Sequence, residues 1–130
     1  MTRVYTQKFK FTMSDLMGGT DYLSVRAQQE LEAHGPVSGP QTGAIRVQLK
    51  DDNSARCEVT LYHQGKPVYT VWHETDHLVG PAGLSRVTDV TNGVRWILRA
   101  LFGGRTPGGV NPEVLAEWIY QDVFGKPMSK

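Results

Sequence analysis

Apolar residues recur in this chain with two different periods, and the change between them separates a strand-rich first part from a helical end. From Val4 to Met13, Phe9, Phe11 and Met13 alternate with Lys8, Lys10 and Thr12, the period of two that marks a strand with one wetted face. Gly18-Gly19 interrupts that pattern. Asp21 to His34 reads as a helix, capped by Thr20 or Asp21 and stopped by Gly35-Pro36. Its apolar stripe (Leu23, Ala27, Leu31) is thin, which predicts a surface position. Gly35 to Gly43 reads as a loop. A second strand spans Ala44 to Lys50, with Ile45, Val47 and Leu49 on one face, and Asp51-Asp52-Asn53-Ser54 turns the chain.

Cys57 to Tyr62 and Val68 to His73 form the clearest hairpin, with Gln64-Gly65 at its tip. A regular ladder from that turn pairs Leu61 with Val68, Val59 with Thr70 and Cys57 with Trp72, an apolar face that would bury the indole. Arg56, Glu58, Thr60, Tyr69 and His73 then occupy the opposite face. After an irregular segment from Glu74 to Ser85 the period lengthens. Val90, Val94, Ile97, Leu98 and Leu101 lie within about 100° of one another on a helix from about Thr88 to Phe102. A last helix opens with Asn111 as N-cap, Pro112 at N1 and Glu113 in the first turn, and Val110 and Leu115 have the spacing of a hydrophobic staple. Its expected buried side is Leu115, Trp118, Ile119 and Val123. These elements predict an α+β fold in one domain over residues 1–130. An antiparallel sheet of about four strands is followed by two C-terminal helices packed on it.

Composition narrows the classes of function. With 14 basic and 13 acidic residues, the formal charge of +1 lacks the excess that a protein coating DNA would carry. The single Cys57 excludes an internal disulfide and points to a reducing compartment. The N-terminal residues have no apolar core of a signal peptide, and no apolar run approaches the ~20 residues that span a bilayer. The expected home is the cytosol, with no membrane partner.

Four clusters have residue types that carry chemistry. His73-Glu74-Thr75-Asp76-His77 is dense in metal ligands and bases. It leaves a strand, however, so the two histidines lack helical spacing, and Cys57 points to the other face in the register above; a polar strand-to-loop junction explains it better. No Gly-Xaa-Ser-Xaa-Gly elbow, Cys-Xaa-Xaa-Cys pair or Walker loop is present, and the reading is of no enzyme, no cofactor and no metal. Thr88, Asn92, Arg95 and Arg99 fall within about 60° on the first C-terminal helix, where two guanidinium groups and a helix start suit a phosphate, though a solvated face has the same composition. The glycine-rich link Gly103 to Gly109 offers backbone amides and Arg105 to an anion, or simply reverses the chain between two helices. Finally, Tyr5, Phe9, Phe11, Tyr62, Tyr69 and Trp72 interleave with Lys8, Lys10 and Lys66 as in sheets that stack single-stranded bases, although most of these rings occupy alternating core positions and packing explains them better.

The order of elements, with Thr91-Asn92 opening Val94-Arg95-Trp96-Ile97-Leu98, resembles the anti-Thoeris sponges, small phage counter-defence proteins that sequester cyclic ADP-ribose-type signals. The resemblance implies a non-catalytic homodimer, with an Asn near the start of the first C-terminal helix contributing to a nucleotide pocket. The expected ligand-binding residues are Thr88, Asn92, Arg95, Arg99 and Arg105, the arginines on chemistry alone. The expected function is sequestration of a small phosphorylated, cyclic-nucleotide-like ligand by a phage or mobile-element counter-defence protein. The alternatives are a protein-blocking inhibitor of a host defence or nuclease complex, and a nucleic-acid-binding accessory protein.

Overall fold

The computed structural model describes residues 3–17, 22–35, 38–50, 55–75, 84–103, 107 and 110–124, with side chains for all of these except 17, 75, 84–90, 123 and 124. The chain runs β1 (Arg3–Phe11), α1 (Met13–Met17), α2 (Tyr22–Ala33), β2 (Gln41–Leu49), β3 (Ala55–His63), β4 (Lys66–Thr75), α3 (Leu84–Phe102) and α4 (Pro112–Phe124). The four strands form one antiparallel sheet in the order β1-β2-β3-β4, so β1 and β4 are its edges. The expected α+β architecture is therefore present, with two further helices between β1 and β2.

Several boundaries differ from the sequence reading. The first strand ends at Phe11 rather than Met13, because Thr12 and Asp15 exchange hydrogen bonds that start α1: the Thr12 amide donates to Asp15 Oδ2 (2.7 Å) and the Asp15 amide to Thr12 Oγ1 (3.3 Å). Gln41 to Gly43, expected in a loop, extend β2, pairing with Phe11, Lys10 and Phe9. Glu74 and Thr75 belong to β4, and α3 begins at Leu84.

The hairpin shows the largest departure. Gln64 (φ 51°) and Gly65 (φ 80°) both take the left-handed conformation of a two-residue turn, as expected, and His63 faces Lys66. The ladder then shifts: Tyr62 pairs with Pro67 but Leu61 with Tyr69, which leaves Val68 as an extra, bulged residue. Pro67 has no N–H to give the ladder, and an edge strand is where a sheet tolerates that. Beyond the bulge every side chain changes face. Val71 is buried, opposite Val59, while Trp72 is 53% exposed, opposite Glu58. Tyr69 and His73, expected on the wet face, lie on the inner one. The helix above leaves no room for an indole beside Cys57. A Cβ on Gly93 of α3 would stand 3.4 Å from Cys57 Sγ and 3.4 Å from His73 Cδ2.

The described helices all lie on one face of the sheet. α3 lies on β3 and β4, α2 on β4, and α4 along β1. The surface helix expected at 21–34 does bury a thin stripe, Ser24, Ala27 and Leu31, and the Ser24 hydroxyl donates to the Leu16 carbonyl of α1 (2.5 Å). Phe102 at the end of α3 joins Phe9 and Phe11, with ring centroids 5.9 Å from each. Phe9 is in turn seated on Gly43 of the neighbouring strand.

α4 carries its expected cap, since Asn111 Oδ1 accepts from the amides of Glu113 (3.1 Å) and Val114 (3.2 Å). Val110 and Leu115 are both buried. The buried side includes Leu115, Ala116 and Ile119, but Trp118 is 48% exposed. α4 packs along an edge strand, where Trp118 meets Tyr5 edge to face with centroids 5.1 Å apart. Both ends of α4 are tied to β1. The Asn111 amide donates to Gln7 Oε1, the Tyr5 hydroxyl donates to Asp122 Oδ2 (2.5 Å), and Arg3 donates to the Asp122 carbonyl. Burial and this contact with Asp122 hold the Tyr5 phenol above its ordinary pKa.

Two substitutions test this packing. A Cβ at Gly43 would overlap the Phe9 ring, lying 2.6 Å from Cε2 and 2.8 Å from Cε1, and that ring is locked between Phe11 and Phe102. Gly43→Ala is expected to cost about 1–3 kcal/mol in urea unfolding, the range for overpacking a core. Trp72→Ala should cost under about 1 kcal/mol, because it removes only an exposed ring and its cation–π contact. The reverse order of the two losses would restore the unbulged register.

Candidate functional site

α3 separates its residues cleanly. Val94, Ile97, Leu98 and Leu101 are buried, as the periodicity predicts, while the Val90 side chain lies outside the described ones. The opposite arc carries Asn92, Arg95, Trp96 and Arg99, all exposed. At 100° per residue these four span about 100° of the helix surface. Trp96, 55% exposed, has the His73 ring of β4 beside it, with centroids 5.9 Å apart and planes at 43°. An indole, an amide and two guanidinium groups thus share one helix face. Such a set offers stacking, hydrogen bonding and charge to a ligand with a ring and an anion.

The predicted site residues are only partly brought together. Asn92, Arg95 and Arg99 share the arc as expected. Thr88 lies in α3 but its side chain is not among those described, and Arg105 lies outside the described residues. Arg95 is paired with Glu113 in the first turn of α4. Its charge is therefore already shared, and Arg99 is the cation of the arc with no ion pair among the described residues. Thr91, adjacent to Asn92 in the motif, is buried and faces the interior.

Most of the expected anion cradle, residues 104–106, 108 and 109, lies outside the described residues, and the start of α4 that follows it is already capped. The Asn111 side chain takes up the Glu113 and Val114 amides, and the Glu113 carboxylate sits against the positive end of the helix. An anion there would compete with groups already satisfied. Trp96 is the residue that sequence reasoning missed. The signal was available, since it lies on the helix wheel opposite the apolar stripe.

His73 and Cys57, separated onto opposite faces by the expected register, are cross-strand partners on the inner face. Asp76 and His77 lie outside the described residues. Among the described residues no three His, Cys, Asp or Glu side chains gather as metal ligands would. Burial pushes the Cys57 thiol up to about 12, so it is protonated at neutral pH.

The aromatic rings divide by face. Tyr5, Phe9 and Phe11 are core residues and Tyr69 packs against the core, as the packing explanation requires. Tyr62 and Trp72 instead stand on the uncovered face of the sheet. No described helix is long and apolar enough to cross a membrane. Comparison of the chain with protein-family models, with curated proteins and with solved structures returns no match.

The Cys57 environment gives a two-part expectation. A thiol reagent such as DTNB at pH 8 should label the unfolded chain quickly and the native one only at the rate of opening. The unfolded thiol ionises near 9 while the folded one waits until about 12. The unfolded state therefore binds fewer protons across that window, and this residue's effect is to lower stability as pH rises above 9. Cys57→Ala should flatten that alkaline loss. Labelling of native protein as fast as of unfolded protein would show an open thiol.

Proposed function

We propose that this chain is a non-catalytic binding protein that sequesters a small phosphorylated, nucleotide-like ligand on the exposed arc of α3. One observation carries the reading: Trp96 stands in solvent on the same 100° arc as Asn92, Arg95 and Arg99. Exposed indoles beside arginines are the composition of binding hot spots, where a rigid ring supplies area and the guanidinium supplies direction. In this arrangement Trp96 stacks on the base, Arg99 holds phosphate oxygens and Asn92 reads a base or ribose edge. Arg95 contributes only when Glu113 releases it. The counter-defence setting is supported by the resemblance at Thr91-Asn92 and by no contact within the fold.

A second reading draws on a different surface. Val114 and Trp118, both exposed, are one turn apart on α4 and form an apolar pair on its surface. They suit a protein partner, as a blocking inhibitor requires.

Calorimetry with linear and cyclic nucleotides separates the two. Wild type should bind at least one nucleotide at micromolar concentration or tighter. Arg99→Ala and Trp96→Ala should each weaken it roughly ten- to a hundred-fold. Arg95→Ala should do less, and Glu113→Ala should tighten binding by freeing Arg95. Absence of any micromolar nucleotide binding to wild type would discard the ligand reading in favour of the α4 surface.

A further inference from the structure

One face of the sheet is covered by no helix among the described residues. Its residues follow from the register: Thr6, Arg46, Glu58 and Trp72 form one row across the strands, and Lys8, Ala44, Thr60 and Thr70 the next. The face is polar but not neutral. Among the described residues, Lys8, Lys10, Arg46, Lys50 and Arg56 stand against Glu58 and Glu74, a net charge of +3 on this side of a chain whose total is +1.

Both carboxylates are already engaged. Arg56 Nε lies 2.6 Å from Glu58 Oε1, and Arg46 reaches the other oxygen at 3.6 Å. Lys50 (3.2 Å) and Arg56 (3.4 Å) share Glu74 and hold its carboxyl below the usual range. Lys8 and Lys10 have no ion pair among the described residues.

Two rings rise from this face. The Arg56 guanidinium lies 4.3 Å from the centre of the Trp72 ring. Tyr62 borders a cleft of about 270 Å³ at the turn end of the sheet, together with Pro40, Thr42 and Gln64. Lys10 is the cross-strand partner of Thr42 at that cleft. Rings at two levels, a concavity beside one of them and unneutralised lysines along the far strand are what a flexible polyanion with flat bases requires.

We propose that this face is a platform for single-stranded nucleic acid. Bases stack on Trp72 and enter the cleft at Tyr62, while Lys8 and Lys10 contact phosphates. Charge selects this occupant over a second copy of the chain, since a two-fold pairing through this face would set like charges against one another. The surface is on the opposite side of the sheet from the α3 arc, so the proposal stands independently of the ligand reading.

The test is fluorescence anisotropy with a labelled oligothymidylate of twelve nucleotides, a duplex of equal length and heparin as a plain polyanion. Binding should favour the single strand over the duplex. Trp72→Ala and Tyr62→Ala should each weaken it roughly five- to a hundred-fold while leaving the salt slope unchanged. Lys8→Ala/Lys10→Ala should weaken it and reduce the slope of log K against log salt by about 1.4, two phosphate contacts' worth. Circular dichroism of each variant confirms folding. No binding at low salt, equal affinity for duplex or heparin, or indifference to Trp72 and Tyr62 would each overturn the proposal.

Discussion

The one-residue bulge at Val68 governs which face of the sheet each later residue of β4 presents. A strand has a side-chain period of two, so a single extra residue transfers everything beyond it to the other face. Without it the indole of Trp72 would point at Cys57, where α3 passes so closely that even a Cβ on Gly93 would stand in contact with Cys57 Sγ. With it Val71 fills the core, His73 comes up beside Trp96, and Trp72 joins Arg56 on the open side. The same irregularity thus places His73 beside the α3 arc and Trp72 on the opposite face of the sheet.

Elements with strong local signals were legible from sequence. The Asn111 cap and the Gln64-Gly65 turn satisfy backbone groups within a few residues, so their chemistry is complete in a short window. The apolar stripe of α3 was equally readable because its period spans several turns. The register beyond Val68 was not. It is decided by Pro67 and by the depth of space beneath a helix that follows in the chain, and neither shows in the alternation of apolar residues. Trp118 failed for a related reason: a helix wheel gives the direction of a side chain but not whether a strand lies under it. Residues 41–43 read as loop because Gly43 suggests a turn, whereas its absent side chain is what lets Phe9 lie flat on the sheet.

Part of the candidate site was legible and part was not. Asn92, Arg95 and Arg99 share a face through helical spacing alone. That Arg95 is held by Glu113 depends on how α4 returns beside α3, a tertiary fact. Sequence reading treats every arginine as available. The fold spends one on joining two helices and leaves the other to solvent.

The ties between α4 and β1 have a consequence for how the chain is made. Arg3, Tyr5 and Gln7 find their partners 104 to 119 residues later, at Asn111 and Asp122. A ribosome adding roughly 5–20 residues per second separates the two by some five to twenty-four seconds. Through that interval β1 can pair with β2, but Tyr5 stays uncovered and its hydroxyl has no Asp122 to meet. β1, the earliest of the described strands to emerge, is thus the last to be finished, and the nascent chain carries Tyr5 uncovered until α4 arrives to pack beside it.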